Sequence, residues 1–214
     1  MQKVWFFVEG KSEENLVTFL IRKKFSSSIQ LEKDLLDFVK KDISNAQHHL
    51  GYCENCENVN KIPHRINELE YLIEQSKSNV IIIICDVEKL GCVSNRKEKI
   101  ENVLNSDVKK LKIVRAFFNP MIEIGYWECE QIINRVIDLE YRNNLKLSPK
   151  DPITSEPDLA HPLTALKKSF EKYNLKYRKS SFSEKFFARV DFDTCDNDVL
   201  KRIINPLETI CNPT

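Results

Sequence analysis

Short apolar segments alternate with amphipathic segments along most of the chain. Two apolar segments are rich in residues that favour β-structure, KVWFFV near the N-terminus and NVIIIICDVE at 79–88. The second contains a continuous β-branched run without polar alternation, which is typical of a strand buried on both faces of a parallel sheet. A third run, KIVRAFF, predicts a strand at about 112–118.

Apolar residues at helical spacing predict helices around these strands. Ser12, followed by Glu13 and Glu14, is typical of a helix start. Further helices are predicted at about 31–41, 65–75, 96–104, 121–143, 163–174, 181–189 and 196–204. Strands that alternate with helices predict an α/β fold with a mainly parallel central sheet flanked by helices.

Two segments depart from this alternation. Residues 44–64 are polar, aperiodic and rich in Asn, which predicts a loop or a small knuckle inserted between elements. A proline-rich stretch begins at about residue 143 and predicts a second loop. We therefore divide the chain into a core at 1–142, with the insertion at about 44–64, and a region at 143–214 in which the proline-rich loop leads to helices that pack on the core.

Composition narrows the classes of protein. The chain has 33 Lys+Arg against 32 Asp+Glu, so any binding of a polyanion must come from local patches or bound cations. Four glycines in 214 residues exclude a GxGxxG or Walker loop. The sequence shows neither a signal peptide nor the roughly 20 apolar residues of a membrane span. We expect a cytoplasmic protein without a membrane partner.

Three carboxylates follow predicted strands. Glu9 comes after the first strand, and Asp86 and Glu88 come at the end of the most buried one. Sites in parallel sheets lie at the carboxyl ends of strands. Clustered carboxylates repel one another unless a cation lies among them, and Mg²⁺ or Mn²⁺ with oxygen ligands is suited to that role. A carboxylate after a strand is also typical of a helix cap or a solvated turn, so the pattern leaves both interpretations open.

Cysteine and histidine are concentrated in the predicted insertion. His48, His49, Cys53, Cys56 and His64 lie within seventeen residues. The two thiolates of the CxxC motif, with His49 and His64, would form a tetrahedral Zn²⁺ site and give order to a polar segment. Unliganded thiols are the alternative. A thioredoxin-like role is not favoured, because this CxxC does not lie between a strand and a helix.

Four stretches resemble motifs of TOPRIM domains, most closely in RloB-like and OLD-type proteins. FFVEGKSEENLVTFL is similar to the first motif, VEG-x-(S/T)-E, and IIIICDVE to the second acidic motif, usually DxD. FFNPMIEIGYWE is similar to an NPxxEhW segment, with Asn119, Pro120, Glu123 and Trp127 in matching places, and YNLKYRKSSF resembles a C-terminal Tyr-Lys region. The stretches occur in family order over residues 4–182. Position 88 departs from the pattern, because Glu stands where Asp is common.

The resemblance implies a TOPRIM-like, Rossmann-like fold and a nuclease that cleaves phosphodiester bonds in DNA or RNA with Mg²⁺ or Mn²⁺. Asp86 and Glu88 would hold the cation. Glu9 would be either a metal ligand or the general acid or base. Glu123 would complete the metal shell, unless it is an ordinary first-turn glutamate that the helix dipole favours.

Lys11, in the turn after the first strand, and Lys179, in the Tyr-Lys region, are the basic residues that we expect to bind nucleic acid, with ordinary solvated lysines as the alternative. The resemblance also implies an effector of an anti-phage defence system that works beside a separate ATPase subunit, and it leaves homo-oligomer formation open. The alternative function is a non-catalytic TOPRIM-like binding or scaffold subunit of a defence complex.

Overall fold

All the strands that the structure describes run in the same direction. The computed structural model describes residues 1–44, 46–76, 80–87, 92–119, 121–127, 130–145, 161–195 and 197–212. The strands are β1 (Lys3–Val8), β2 (Ile29–Glu32), β3 (His49–Asn55), β4 (Val80–Asp86) and β5 (Ile113–Phe118). They form one sheet in the order β2-β3-β1-β4-β5, and every neighbouring pair is parallel. The predicted α/β fold with a parallel sheet is confirmed.

Helices occupy most of the remaining described chain. They are α1 (Lys11–Lys24), α2 (Leu35–Lys40), α3 (Lys61–Glu68), α4 (Glu70–Gln75), α5 (Val93–Glu101), α6 (Ser106–Lys109), α7 (Glu123–Trp127), α8 (Glu130–Leu145), α9 (Pro162–Glu171), α10 (Lys179–Phe187) and α11 (Asp198–Cys211). The cap of α1 is Gly10, so Ser12 lies inside the first turn and does not begin the helix. Within the described ranges, no helix has the length and apolar character that crossing a membrane requires.

The two faces of the sheet are covered by separate apolar cores. Side chains alternate across a strand, so Val4, Phe6 and Val8 of β1 enter one core while Trp5 and Phe7 enter the other. On the first face the sheet packs against α1 and α7–α11, and on the second face against α2–α6. Every residue of β4 is buried, as its unbroken apolar run predicted.

The predicted inserted loop at 44–64 is wrong. This segment contains β3, which lies between β2 and β1, and the beginning of α3. Only three consecutive residues of β3, starting at Leu50, are buried, and the strand also contains the polar residues His49, Glu54 and Asn55. Pairing with two neighbouring strands outweighs the weak β-propensity of β3. The sequence pattern does not show this pairing. The predicted helix at 31–41 is also partly wrong, because its first residues belong to β2.

The C-terminal helices share the core of the first sheet face. Phe170 of α9, Phe182 of α10 and Ile203 of α11 lie in the same buried cluster as Val4 and Ile82 of the central strands. The described part of the predicted C-terminal region thus packs on the sheet. Most of the proline-rich loop, at 146–160, lies outside the described residues.

The connections define a switch point between β1 and β4. After β1 the chain crosses the first face through α1 to reach β2 at one edge, and after β4 it crosses the second face through α5 and α6 to reach β5 at the other edge. Connections that leave two adjacent strands in opposite directions open a crevice at the strands' carboxyl ends, where open α/β sheets place their ligands.

Candidate active site

Two carboxylates are held at this crevice by backbone hydrogen bonds. Glu9 directly follows β1, and its Oε2 accepts a hydrogen bond from the amide of Asp86, the last residue of β4, at 3.0 Å. Oδ1 of Asp86 accepts one from the amide of Ile122 at 2.7 Å. Asp86 is 3% exposed, so its position is set by the sheet and by the turn before α7.

Two further carboxylates join them from helices. Glu13, in the first turn of α1, and Glu123, the first residue of α7, are almost fully buried. We refer to Glu9, Glu13, Asp86 and Glu123 as the acidic cluster. The cluster therefore brings together residues from the N-terminal quarter, the central strand and the segment after β5.

Lys179, at the start of α10, supplies positive charge to the cluster. Its Nζ lies 3.7 Å from Oδ2 of Asp86 and 3.5 Å from Oε1 of Glu123. Oε1 of Glu123 also accepts a hydrogen bond from the hydroxyl of Tyr177 at 3.4 Å. The lysine side chain is 45% exposed, so the cluster is buried on the protein side and reached by solvent along Lys179.

Burial dominates the electrostatics of the cluster. Burial raises the pKa of Asp86 well above its ordinary value, and the neighbouring carboxylate of Glu13 adds to the shift. Burial likewise raises the pKa of Glu13 to about 7, although the charge of Lys179 opposes the rise. Burial lowers the pKa of Lys179, but the surrounding carboxylates outweigh it and the net pKa is raised. A protonated lysine thus neutralises part of a crowded acidic site.

The donor chemistry of the cluster fits a hard divalent cation. Oε1 of Glu13 and Oε2 of Glu123 are buried and have no hydrogen-bond partner among the described residues. Carboxylate oxygens are the ligands that Mg²⁺ and Mn²⁺ prefer. In the observed arrangement, no three His, Cys, Asp or Glu side chains of the described chain converge on one point as metal ligands would. Asp86 and Glu123 instead converge on the ammonium group of Lys179.

The structure brings together most of the predicted acidic residues. Glu9, Asp86, Glu123 and Lys179 meet at one site, whereas Lys11 forms an exposed ion pair with Glu14 at 2.7 Å. The predicted ligand at position 88 and the motif proline at position 120 lie outside the described residues, as does the side chain at position 127.

Sequence reasoning missed Glu13 and Tyr177 as members of the site. In the sequence, Glu13 has the position of an ordinary first-turn glutamate that a helix N-terminus favours. Its spacing from Leu16, Val17 and Leu20 places it on the apolar face of α1, and a carboxylate on such a face is a sign of a buried polar site. Tyr177 lies in the stretch that resembles a Tyr-Lys region, but its contact with Glu123 depends on how α9 and α10 pack on the sheet.

The predicted zinc ligands are not assembled into a site. Cys53 packs against the core of the first face, while Cys56 is buried in the core of the second. Nδ1 of His49 accepts a hydrogen bond from the amide of Gln2 at 3.1 Å, and His64 lies in α3. The CxxC spacing predicts paired thiolates only in a turn, and in a strand its residues separate across the sheet. Burial also raises the pKa of Cys56 to about 12.

The fold and the site define a class of protein. The chain is an α/β protein with an all-parallel sheet and a carboxylate–lysine site at the switch point between β1 and β4. Comparison with protein-family models, with curated proteins and with solved structures gives no match for the chain. Membership of the TOPRIM family stays a prediction from the four motif resemblances.

Proposed function

We propose that this protein is a Mg²⁺- or Mn²⁺-dependent nuclease of TOPRIM type that cleaves phosphodiester bonds in DNA or RNA. The observation that carries the proposal is the acidic cluster at the carboxyl ends of β1 and β4, in which Glu13, Asp86 and Glu123 are buried. Glu13 and Glu123 each keep one oxygen without a hydrogen-bond partner among the described residues. A hard cation would satisfy the free oxygen of Glu123 and would offset the burial and the neighbouring negative charge that together raise the pKa of Asp86.

The residues of the cluster divide the chemical work. Glu9, Asp86 and Glu123 would hold the cation, which when bound polarises a scissile phosphate and lowers the pKa of an attacking water. Lys179 would neutralise charge on the phosphate from the solvent side. Glu13 has a pKa of about 7, so its carboxyl is present in both the protonated and the ionised form near neutral pH. It is therefore suited to proton transfer.

The motif resemblance supports a biological setting for this activity. RloB-like and OLD-type proteins are associated with phage defence, and we propose that the protein is a defence effector that acts on nucleic acid beside a separate ATPase subunit. The scarcity of glycine agrees with an ATPase function on another chain, because phosphate-binding loops need several glycines.

A non-catalytic binding or scaffold subunit is the second candidate, and the position of Lys179 favours it. The ammonium group contacts both Asp86 and Glu123, so the charges of the cluster are partly balanced by the protein itself. A site of this kind would serve as a structural network that joins α10 to the sheet.

Cleavage assays separate the two candidates. Plasmid, single-stranded DNA and tRNA would be incubated with or without Mg²⁺ or Mn²⁺, using the native protein, Glu9→Gln, Asp86→Asn and the control Glu98→Gln, whose carboxylate is exposed on α5. We expect cation-dependent cleavage that falls on the order of 100-fold or more in the two cluster variants and is unchanged in the control.

Melting temperatures of all four proteins would establish that the variants are folded. Absence of cleavage by the native protein with every substrate and cation would favour the non-catalytic candidate. Cleavage by folded Asp86→Asn at the native rate would show that the acidic cluster is not the active site.

A further inference from the structure

A basic cavity lies beside the acidic cluster, outside the residues already assigned a function. It has a volume of about 470 Å³ and is formed between α8, α9 and α10. Its polar lining includes Lys176, Arg178, Ser181 and Lys185, with Glu140 on the α8 side. A volume of this size is enough for a small charged group with its immediate neighbours, because ligand pockets span roughly 300–1,000 Å³.

The cavity has an excess of positive charge. Lys185 forms an ion pair with Glu140, which leaves Lys176 and Arg178 as the other charged groups of the lining. Both side chains are exposed, and neither has an ionic partner among the described residues. A guanidinium offers two parallel N–H donors to phosphate oxygens, and a lysine adds a point charge. Two uncompensated cations at one concave surface favour a dianionic or repeating anionic ligand.

The backbone conformation directs these two side chains away from the core. Asn174 adopts a left-handed conformation, with φ of 56°, in the tight turn that follows α9. In the segment that follows, Leu175 is buried and Tyr177 contacts Glu123, whereas the alternate residues Lys176 and Arg178 are exposed. Alternation of this kind is what an extended segment produces. Leu175 and Tyr177 therefore anchor the segment to the protein interior, and Lys176 and Arg178 lie on its opposite, exposed side.

The same segment connects the basic cavity to the acidic cluster. Arg178 lines the cavity, and the next residue, Lys179, contacts Asp86 and Glu123. Tyr177 lies between the two sites, because its ring packs 5.4 Å from that of Phe170 and 5.6 Å from that of Phe182 in the cavity wall, while its hydroxyl donates a hydrogen bond to Oε1 of Glu123. A strand whose phosphate occupied the cavity would have its neighbouring phosphodiester within reach of the cluster.

We propose that the basic cavity binds a backbone phosphate of a nucleic-acid strand and thereby positions the adjoining phosphodiester at the acidic cluster. The identity of the ligand rests on the proposed nuclease function. The apolar wall is formed by Phe170 and Phe182, each 2% exposed, so neither ring offers a face on which a base would stack. We therefore expect the cavity to contact the nucleic-acid backbone and to bind without preference for base sequence.

The test is a binding measurement in the presence of a chelator, so that it does not depend on cleavage. Fluorescence anisotropy of a short fluorescein-labelled oligothymidine would be recorded at several salt concentrations with the native protein and with Lys176→Gln/Arg178→Gln. The matched control is Lys109→Gln/Lys112→Gln, which removes two exposed lysines, one at the end of α6 and one directly before β5.

We expect about tenfold weaker binding in the cavity variant and a change of less than about twofold in the control. The dependence of log affinity on log salt should decrease by roughly 1.4 in the cavity variant, because each single-strand phosphate contact contributes about 0.7. Equal losses in the two variants, an unchanged salt dependence, or no binding by the native protein would overturn the proposal.

The outcome is separable from that of the nuclease assay. Binding that depends on Lys176 and Arg178 in a protein without cleavage activity would uphold the cavity and contradict the nuclease. If the protein cleaves nucleic acid but its binding is unchanged by Lys176→Gln/Arg178→Gln, the result would contradict only the proposed role of the cavity. Melting temperatures of both variants would confirm that loss of binding does not come from unfolding.

Discussion

At the scale of single residues, the most informative group is Glu13. It is a carboxylate on the buried face of α1, 1% exposed, with one oxygen that lacks a partner among the described residues. An ionised carboxylate is unfavourable in free energy when it is buried in this way, so Glu13 keeps its proton to a higher pH than usual. Its pKa of about 7 is a property of the assembled site, since the causes include Lys179, Glu9 and Glu123.

The raised pKa of Glu13 predicts how stability varies with pH. A carboxyl whose pKa rises from 4.5 to about 7 on folding binds more protons in the folded state. The stability that it contributes is therefore complete below about pH 4.5 and is lost as the pH rises through 7. Glu13→Gln should remove this loss, and its free energy of unfolding relative to native protein should rise between pH 5 and pH 8 by on the order of 2–3 kcal/mol.

Chemical denaturation at a series of pH values measures this difference, with Glu98→Gln as the control for an exposed carboxylate. The same difference at pH 5 and pH 8 would show that Glu13 titrates normally in the folded protein. Asp86 contributes to this difference in the free energy of unfolding, because the charge of Glu13 adds to the burial that raises the pKa of Asp86.

At the scale of secondary-structure elements, β3 is a strand at which the sequence pattern and the structure disagree. Its residues HLGYCEN include a glycine and several polar side chains, which together predict a loop. Gly51 nevertheless lies in the middle of the sheet, where an added Cβ would come within 2.8 Å of Cδ2 of Leu31 and 3.3 Å of Cγ2 of Ile29. Side chains of the neighbouring strand β2 pass over the glycine and leave little room for a larger residue.

This packing predicts a graded response to substitution at residue 51. Gly51→Ala should be nearly neutral, because the nearest atom is the end of a flexible leucine side chain. Gly51→Val should lower the free energy of unfolding by roughly 1–3 kcal/mol, since its branched side chain overpacks the space under Ile29. Thermal or urea unfolding of the two variants measures the costs. A valine as well tolerated as alanine would place residue 51 in an open loop and contradict β3.

At the scale of the whole molecule, the C-terminal region and the sheet form one core. Residues of α9, α10 and α11 lie in the same cluster as those of β1 and β4, and α10 carries Lys179 to the acidic cluster. The division into a core at 1–142 and an added region at 143–214 therefore describes the order of elements along the chain. The described residues show a shared core across that boundary.

The shared core predicts that a fragment of residues 1–142 does not fold cooperatively. Loss of α9–α11 would expose the first face of the sheet, and each large apolar side chain removed from the core contributes about 1.5–3 kcal/mol. Several such losses exceed the usual net stability of about 5–15 kcal/mol. Circular dichroism during heating would test this, with a fragment of residues 1–212 as the control. A sharp unfolding transition in the short fragment would contradict it.

The amino-acid sequence is sufficient to predict the strands β1 and β4, the alternation with helices and the positions of Glu9 and Asp86. These follow from local periodicity, because an unbroken apolar run is buried on both faces and a carboxylate after it lies at the strand's end. Tertiary packing sets the strand identity of 49–55, the separation of Cys53 from Cys56, and the burial of Glu13 beside Lys179. Each of these depends on contacts between segments distant along the chain, and such contacts leave no period in the sequence.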